Sequence, residues 1–129
     1  MFLSRQTIPV ITDEEGDAVV FSGVVNGQIV AIKYEKASTN GFSAGVDFDV
    51  ETEALKQEVW SEDDVNDSKA VYPLVGSHNT DGEVILVDES DAVYQRISAI
   101  DERVKFTVAN GGSLKFGTFH LIVEGVISC

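Results

Sequence analysis

Cysteine occurs once, as Cys129, so no internal disulfide can form and a small secreted scaffold stapled by disulfides is excluded. Basic residues are scarce. Nine Lys and Arg stand against 22 Asp and Glu, a formal charge of −13. That leaves no Lys/Arg stripe to neutralise nucleic-acid phosphates or to hold an anionic lipid surface, so nucleic acid and membrane are not expected as partners. Long apolar runs are missing as well; none approaches the ~18 residues of a membrane helix. Residues 1–6 lack the sustained apolar stretch of a signal peptide, and the expectation is synthesis in the cytoplasm.

The motifs of chemistry are also lacking. There is no Gly-x-Ser-x-Gly elbow, no Gly-x-Gly-x-x-Gly and no P-loop. Histidine occurs twice, as His78 and His120, and neither has partners at metal-ligand spacing; zinc takes three or four ligands. Residues 62–67, with Glu62, Asp63, Asp64 and Asp67, offer oxygen ligands of the kind calcium takes. They lack the central glycine and the spaced glutamate of an EF-hand loop, and read as a solvated acidic loop. Gly111 and Gly112 read as a turn, since no helix start follows to bind phosphate. No catalytic residue, metal or cofactor is expected.

What is present is alternation. Apolar residues recur with a period of two, broken by turn residues, which marks strands. Val46, Phe48 and Val50 alternate with Asp47, Asp49 and Glu51, giving one apolar and one anionic face. Slipping the register by one residue would bury three carboxylates, so the pairing is strongly specified. Residues 28–36 form another strand, with Val30, Ile32 and Tyr34 on one face. Residues 7–12 and 18–22 flank a polar turn and read as a hairpin, with Pro9 placing the first strand at an edge. Residues 57–61 carry Trp60 on a short strand, residues 70–75 read as an extended edge segment around Pro73, and residues 83–87 read as a strand after a turn at 77–82.

Val104, Phe106 and Val108, the turn around Gly111 and Gly112, and Phe119, Leu121 and Val123 read as a long C-terminal hairpin. Residues 91–101 are the best helix candidate, because Ala92, Val93, Ile97 and Ile100 fall near helical spacing. The expectation is one all-β domain over residues 1–129. It is a β-sandwich or partly closed barrel of about eight or nine short strands with at most one short helix, and residues 1–6 serve as an N-terminal arm. A chain of this length buries roughly two-thirds of its unfolded surface and needs no staple.

Several stretches together resemble small all-β proteins encoded by tailed bacteriophages near their head and head-to-tail joining genes. They are Gly27, Gln28, Ile29, Val30, Ala31, Ile32, Lys33, Tyr34; then Gly45, Val46, Asp47, Phe48, Asp49, Val50; then residues 103–112 and 115–120. The carboxylate-rich residues 62–67 depart from that pattern. The resemblance implies a non-enzymatic structural protein of the virion, either a capsid decoration protein or a component of the head–tail neck. Its partners would be the major capsid or neck proteins, and it would form a homo-oligomer. A competing expectation is a carbohydrate- or receptor-binding module, for which Trp60, Tyr34, Tyr72, Tyr94, Phe42 and Phe116 would supply an exposed aromatic face.

Overall fold

The computed structural model describes residues 2–76 and 94–125. Its ten strands are β1 (Phe2–Ile11), β2 (Ala18–Phe21), β3 (Val25–Lys36), β4 (Val46–Thr52), β5 (Glu58–Val65), β6 (Lys69–Val71), β7 (Leu74–Gly76), β8 (Tyr94–Glu102), β9 (Val104–Ala109) and β10 (Phe116–Gly125). They form a β-sandwich. One sheet has six strands in the order β1, β10, β3, β8, β7, with β6 also pairing β3; the other has four, in the order β2, β9, β4, β5. Every strand pairing is antiparallel.

The alternation places the core. Val46, Phe48 and Val50 of β4 and Val104, Phe106 and Val108 of β9 are buried, and they face Ile8, Val10, Ile32, Tyr34, Phe119 and Leu121 of the larger sheet. Six aromatic rings meet there. Phe119 stacks on Phe106 at 4.9 Å between centroids and meets the edge of Phe48 at 5.0 Å, while Tyr34 meets Phe48 at 4.7 Å. Such geometries add about 0.5–1.5 kcal/mol per pair beyond the burial itself. Burial pushes the Tyr34 phenol up to about 12.

Both expected hairpins are arches that change sheet. β1 pairs β10 in the larger sheet, whereas β2 pairs β9 in the smaller one. The two crossings run side by side and bond to each other. Thr12 N–H donates to Lys115 O at 3.0 Å, Leu114 N–H to Asp13 O at 3.1 Å, and Gly111 N–H to Gly16 O at 2.9 Å. The buried Thr12 hydroxyl donates to Gly112 O at 2.6 Å and accepts from Lys115 N–H at 2.8 Å. Gly16 has φ +89° and sits so close to Gly112 that a Cβ would lie 2.8 Å from its nitrogen, so only glycine fits. Turn composition marks a reversal; which sheet the chain re-enters depends on the neighbouring arch.

Three further expectations change. Residues 94–101, expected in a helix, lie in β8, paired with β3 and β7; Ile97 and Ala99 alternate inward while Ile100 points out. Residues 91–93 fall outside the described residues, as do the expected turn at 77–82 and strand at 83–87. In β3 the inward face changes phase. Ile122 lies opposite Ala31 but Val123 opposite Ile29, so Val30 is an extra residue in a bulge. Val25 and Ile29 are buried on one side of it, Ile32 and Tyr34 on the other, and Val30 only half-buried. Finally, residues 2–6 are not a free arm: they belong to β1, paired with β10.

Candidate functional surface

The outer face of the six-stranded sheet follows from register. Side chains that alternate with the buried Ile8 and Val10 of β1 point outward: Leu3, Arg5, Thr7, Pro9 and Ile11. Opposite them on β10 stand Glu124, Ile122, His120, Thr118 and Phe116, and opposite His120 on β3 stands Lys33. One row brings polar groups together. His120 Nε2 lies 2.8 Å from Glu35 Oε2, and its Nδ1 lies 3.4 Å from Thr7 Oγ1. In the neutral ring with its proton on Nε2, the imidazole donates to Glu35 and leaves Nδ1 to accept from Thr7. The His120 hydrogen bond holds the Glu35 carboxyl below the usual carboxylate range, helped by the charge of His120 when its ring is protonated and by the charges of Lys33 and Arg5.

Hydroxyl, imidazole and carboxylate in this order match the parts of an activated nucleophile. The setting does not match. The three residues lie on three neighbouring strands of one sheet, whose backbone N–H groups lie in the plane of the sheet and are directed at adjacent strands. The backbone therefore offers no oxyanion donors above this face; the cationic side chains beside the row are Arg5 and Lys33. The row is a cross-strand ladder.

Toward the other end of this face lies a shallow, open groove of about 260 Å³ lined by Asn26, Gly27, Gln28, Ser98 and Ile100. No titratable side chain lines it. Asn26 is already engaged, its Oδ1 accepting from Asp101 N–H at 2.8 Å. Beside it Arg96 and Glu124 pair at 2.5 Å.

The outer face of the four-stranded sheet has the opposite character. Asp47, Asp49 and Glu51 project from β4, as their alternation requires. Lys105 answers one of them, and Arg103 answers the neighbouring Glu53. Arg103 pairs with Glu53 at 2.5 Å and lies 4.1 Å from the ring centre of Phe21, and Lys105 lies 3.9 Å from Glu51. The Arg103 hydrogen bonds hold Glu53 below the usual carboxylate range.

Residues 62–67 are not a free loop. Glu62, Asp63 and Asp64 belong to β5. Glu62 pairs with Lys69 at 2.7 Å and accepts from the Trp60 indole at 3.3 Å. Asp64, at φ +59°, donates its N–H to Asp47, and Asn66 accepts from Gly45 N–H. Among the described residues no three carboxylates, histidines or cysteines are grouped to hold a metal ion. The N–H of Gly111 is taken by Gly16 O. Of the expected aromatic face, Trp60, Tyr34 and Phe42 are buried, while Tyr72 and Phe116 are exposed. Tyr94 begins β8. His78 and Cys129 lie outside the described residues.

β1 also differs from the rest of the chain in charge. Residues 1–12 contain no carboxylate, and Arg5 is their one charged side chain. The gap is visible in the sequence; that it lies along a paired strand follows only from the register with β10.

No protein family matches this chain, and no curated protein does. Among solved structures, the crystal structure of FLHE is similar, at 11% identity and a TM-score of 0.42 over 94% of this chain and 95% of that one. A likeness of that size carries no weight on what the chain does.

Proposed function

We propose that this domain is a non-enzymatic structural protein that works by being built into a larger particle. That particle is a tailed-phage virion, in which the domain serves as a capsid decoration protein or as a component of the head–tail neck. The observation that carries the structural part is the broad outer face of the six-stranded sheet. There Leu3 is 66% exposed and Ile100 75%, beside the Arg96–Glu124 ion pair, the His120–Glu35 hydrogen bond and the shallow open groove between β3 and β8. Such a face gains stability when a neighbour covers it, at about 25 cal/mol per Å² of apolar surface removed from water. A reaction needs converging polar groups in a concavity. The virion placement is supported by the resemblance carried by residues 27–34, 45–50, 103–112 and 115–120.

The test is immunogold labelling of purified particles from a phage encoding the chain, paired with mass spectrometry of the same particles. Label over the head is the expected result for decoration, and label at one vertex for a neck component. Particles that neither label nor contain the protein would refute the virion reading.

A further inference from the structure

We propose that the open edge of β1 is a self-association edge, to which a second copy of this chain adds its own β1 in antiparallel pairing. The proposal rests on the reading of the domain as an assembly component and names the contact it would use.

Register decides which groups face that edge. Thr12 N–H donates to Lys115 O, which fixes this as a directly bonded pair. In an antiparallel ladder such pairs recur at every second residue. Val10 opposite Gly117, Ile8 opposite Phe119, Gln6 opposite Leu121 and Ser4 opposite Val123 are therefore bonded to β10 as well. Leu3, Arg5 and Thr7 then turn their N–H and C=O groups away from β10, and among the described strands β1 pairs with β10 alone. Pro9 falls in the same set as Leu3, Arg5 and Thr7. Its missing N–H therefore leaves the β10 ladder intact and limits edge pairing to the residues before it.

Among the described residues the other sheet ends offer less. β2 has four residues, and β6 and β7 have three each. β5 has eight, but Glu58, Glu62, Asp63 and Asp64 line it, and its register with β4 is broken twice. Charge and bulges of this kind blunt an edge.

A strand that adds here must bring an open edge of its own, and a second copy brings the same one. Two copies of a chain of charge −13 repel each other over most of their surface, and residues 2–11, which carry no carboxylate, are where that repulsion is least. Antiparallel pairing of identical strands is two-fold and closes on itself, so it yields a dimer and not a filament. The register that sets Arg5 opposite Thr7 of the second copy keeps the two guanidinium groups from facing each other. The paired stretch is short, so association is weak and grows with protein concentration.

Sedimentation velocity on the full chain across a concentration series tests this, beside Arg5→Pro and Arg5→Glu. Arg5→Pro deletes an N–H on the open edge without touching the β10 ladder, and Arg5→Glu puts a carboxylate on the edge. The parent chain should pass from monomer to dimer as concentration rises. Both variants should stay monomeric with an unchanged far-ultraviolet spectrum and Trp60 emission. Should Arg5→Pro lose the fold, Arg5→Glu decides alone. A parent chain that is monomeric throughout overturns the proposal, as does a dimer that persists in a folded Arg5→Glu. A chain found in virions yet monomeric in solution would remove the edge pairing and leave the structural role standing.

Discussion

Two long strands end the two sheets of this sandwich, and they have been treated in opposite ways. β5, at the end of the smaller sheet, carries a carboxylate at four of its eight positions and two breaks in register. β1, at the end of the larger sheet, pairs with β10 through ten residues without a break and carries no carboxylate. Both present backbone groups to whatever lies beyond, yet only one is defended against strand addition. In a chain with 22 acidic residues, leaving one edge free of them is a difference in kind between the two ends.

The largest effect tests what the edges share. Phe119 is fully buried and touches the rings of Tyr34, Phe48, Trp60 and Phe106 across the two sheets. Phe119→Ala should destabilise the fold by about 3–5 kcal/mol, measured by urea unfolding, because the cavity cannot collapse. A loss below about 1 kcal/mol would mean that the sheets do not rest on one core.

Next comes a pair of prolines one residue apart on β1. Ser4→Pro removes an N–H that faces Val123 and should destabilise by about 1–3 kcal/mol. Arg5→Pro removes one that faces the open edge and should change stability by no more than about 0.5 kcal/mol. Equal effects would break the assignment of the two strand sides.

The contrast can also be reversed. Glu58→Thr together with Asp63→Thr removes half the carboxylates of β5. Light scattering should then show association in a protein that otherwise lacks it at that edge, and an unchanged mass would show that the bulges alone suffice.

The last effect concerns the core beneath both edges and shows only at high pH. Folded Tyr34 keeps its proton up to about 12, while an unfolded tyrosine releases it near 10.0, so stability is intact below pH 10 and falls between there and pH 12. Tyr34→Phe should flatten that alkaline fall. A variant with the same fall would assign it to other groups.

Much of the sandwich was legible because a strand's faces are written in alternate residues. β4 and β9 read correctly for that reason, and so did Phe119, Leu121 and Val123. What was not legible depended on partners distant in sequence. The bulge at Val30 moves Ile29 inward and Val30 toward the surface, and it exists only relative to Ile122 and Val123. Over the window of residues 91–101 the apolar spacing fits a helix as well as a strand. Pairing of β8 with residues 25–29 and with Leu74, Val75 and Gly76 decided it. Both arches carry the turn residues of a hairpin, and their bonds to each other are what separate the sheets. Of the candidate surface, the acidic face was plain in the sequence. The ladder of Thr7, His120 and Glu35 appears only when β1, β10 and β3 are set side by side.

The most direct test of the β1 edge is amide hydrogen exchange, residue by residue, at low and at high protein concentration. In dilute solution Ser4, Gln6 and Ile8 should exchange slowly and Leu3, Arg5 and Thr7 fast. At high concentration the second set should slow as well, with the first unchanged. Fast exchange at Leu3, Arg5 and Thr7 under both conditions, or no alternation at all, would contradict an edge that is open in one copy and closed by a second.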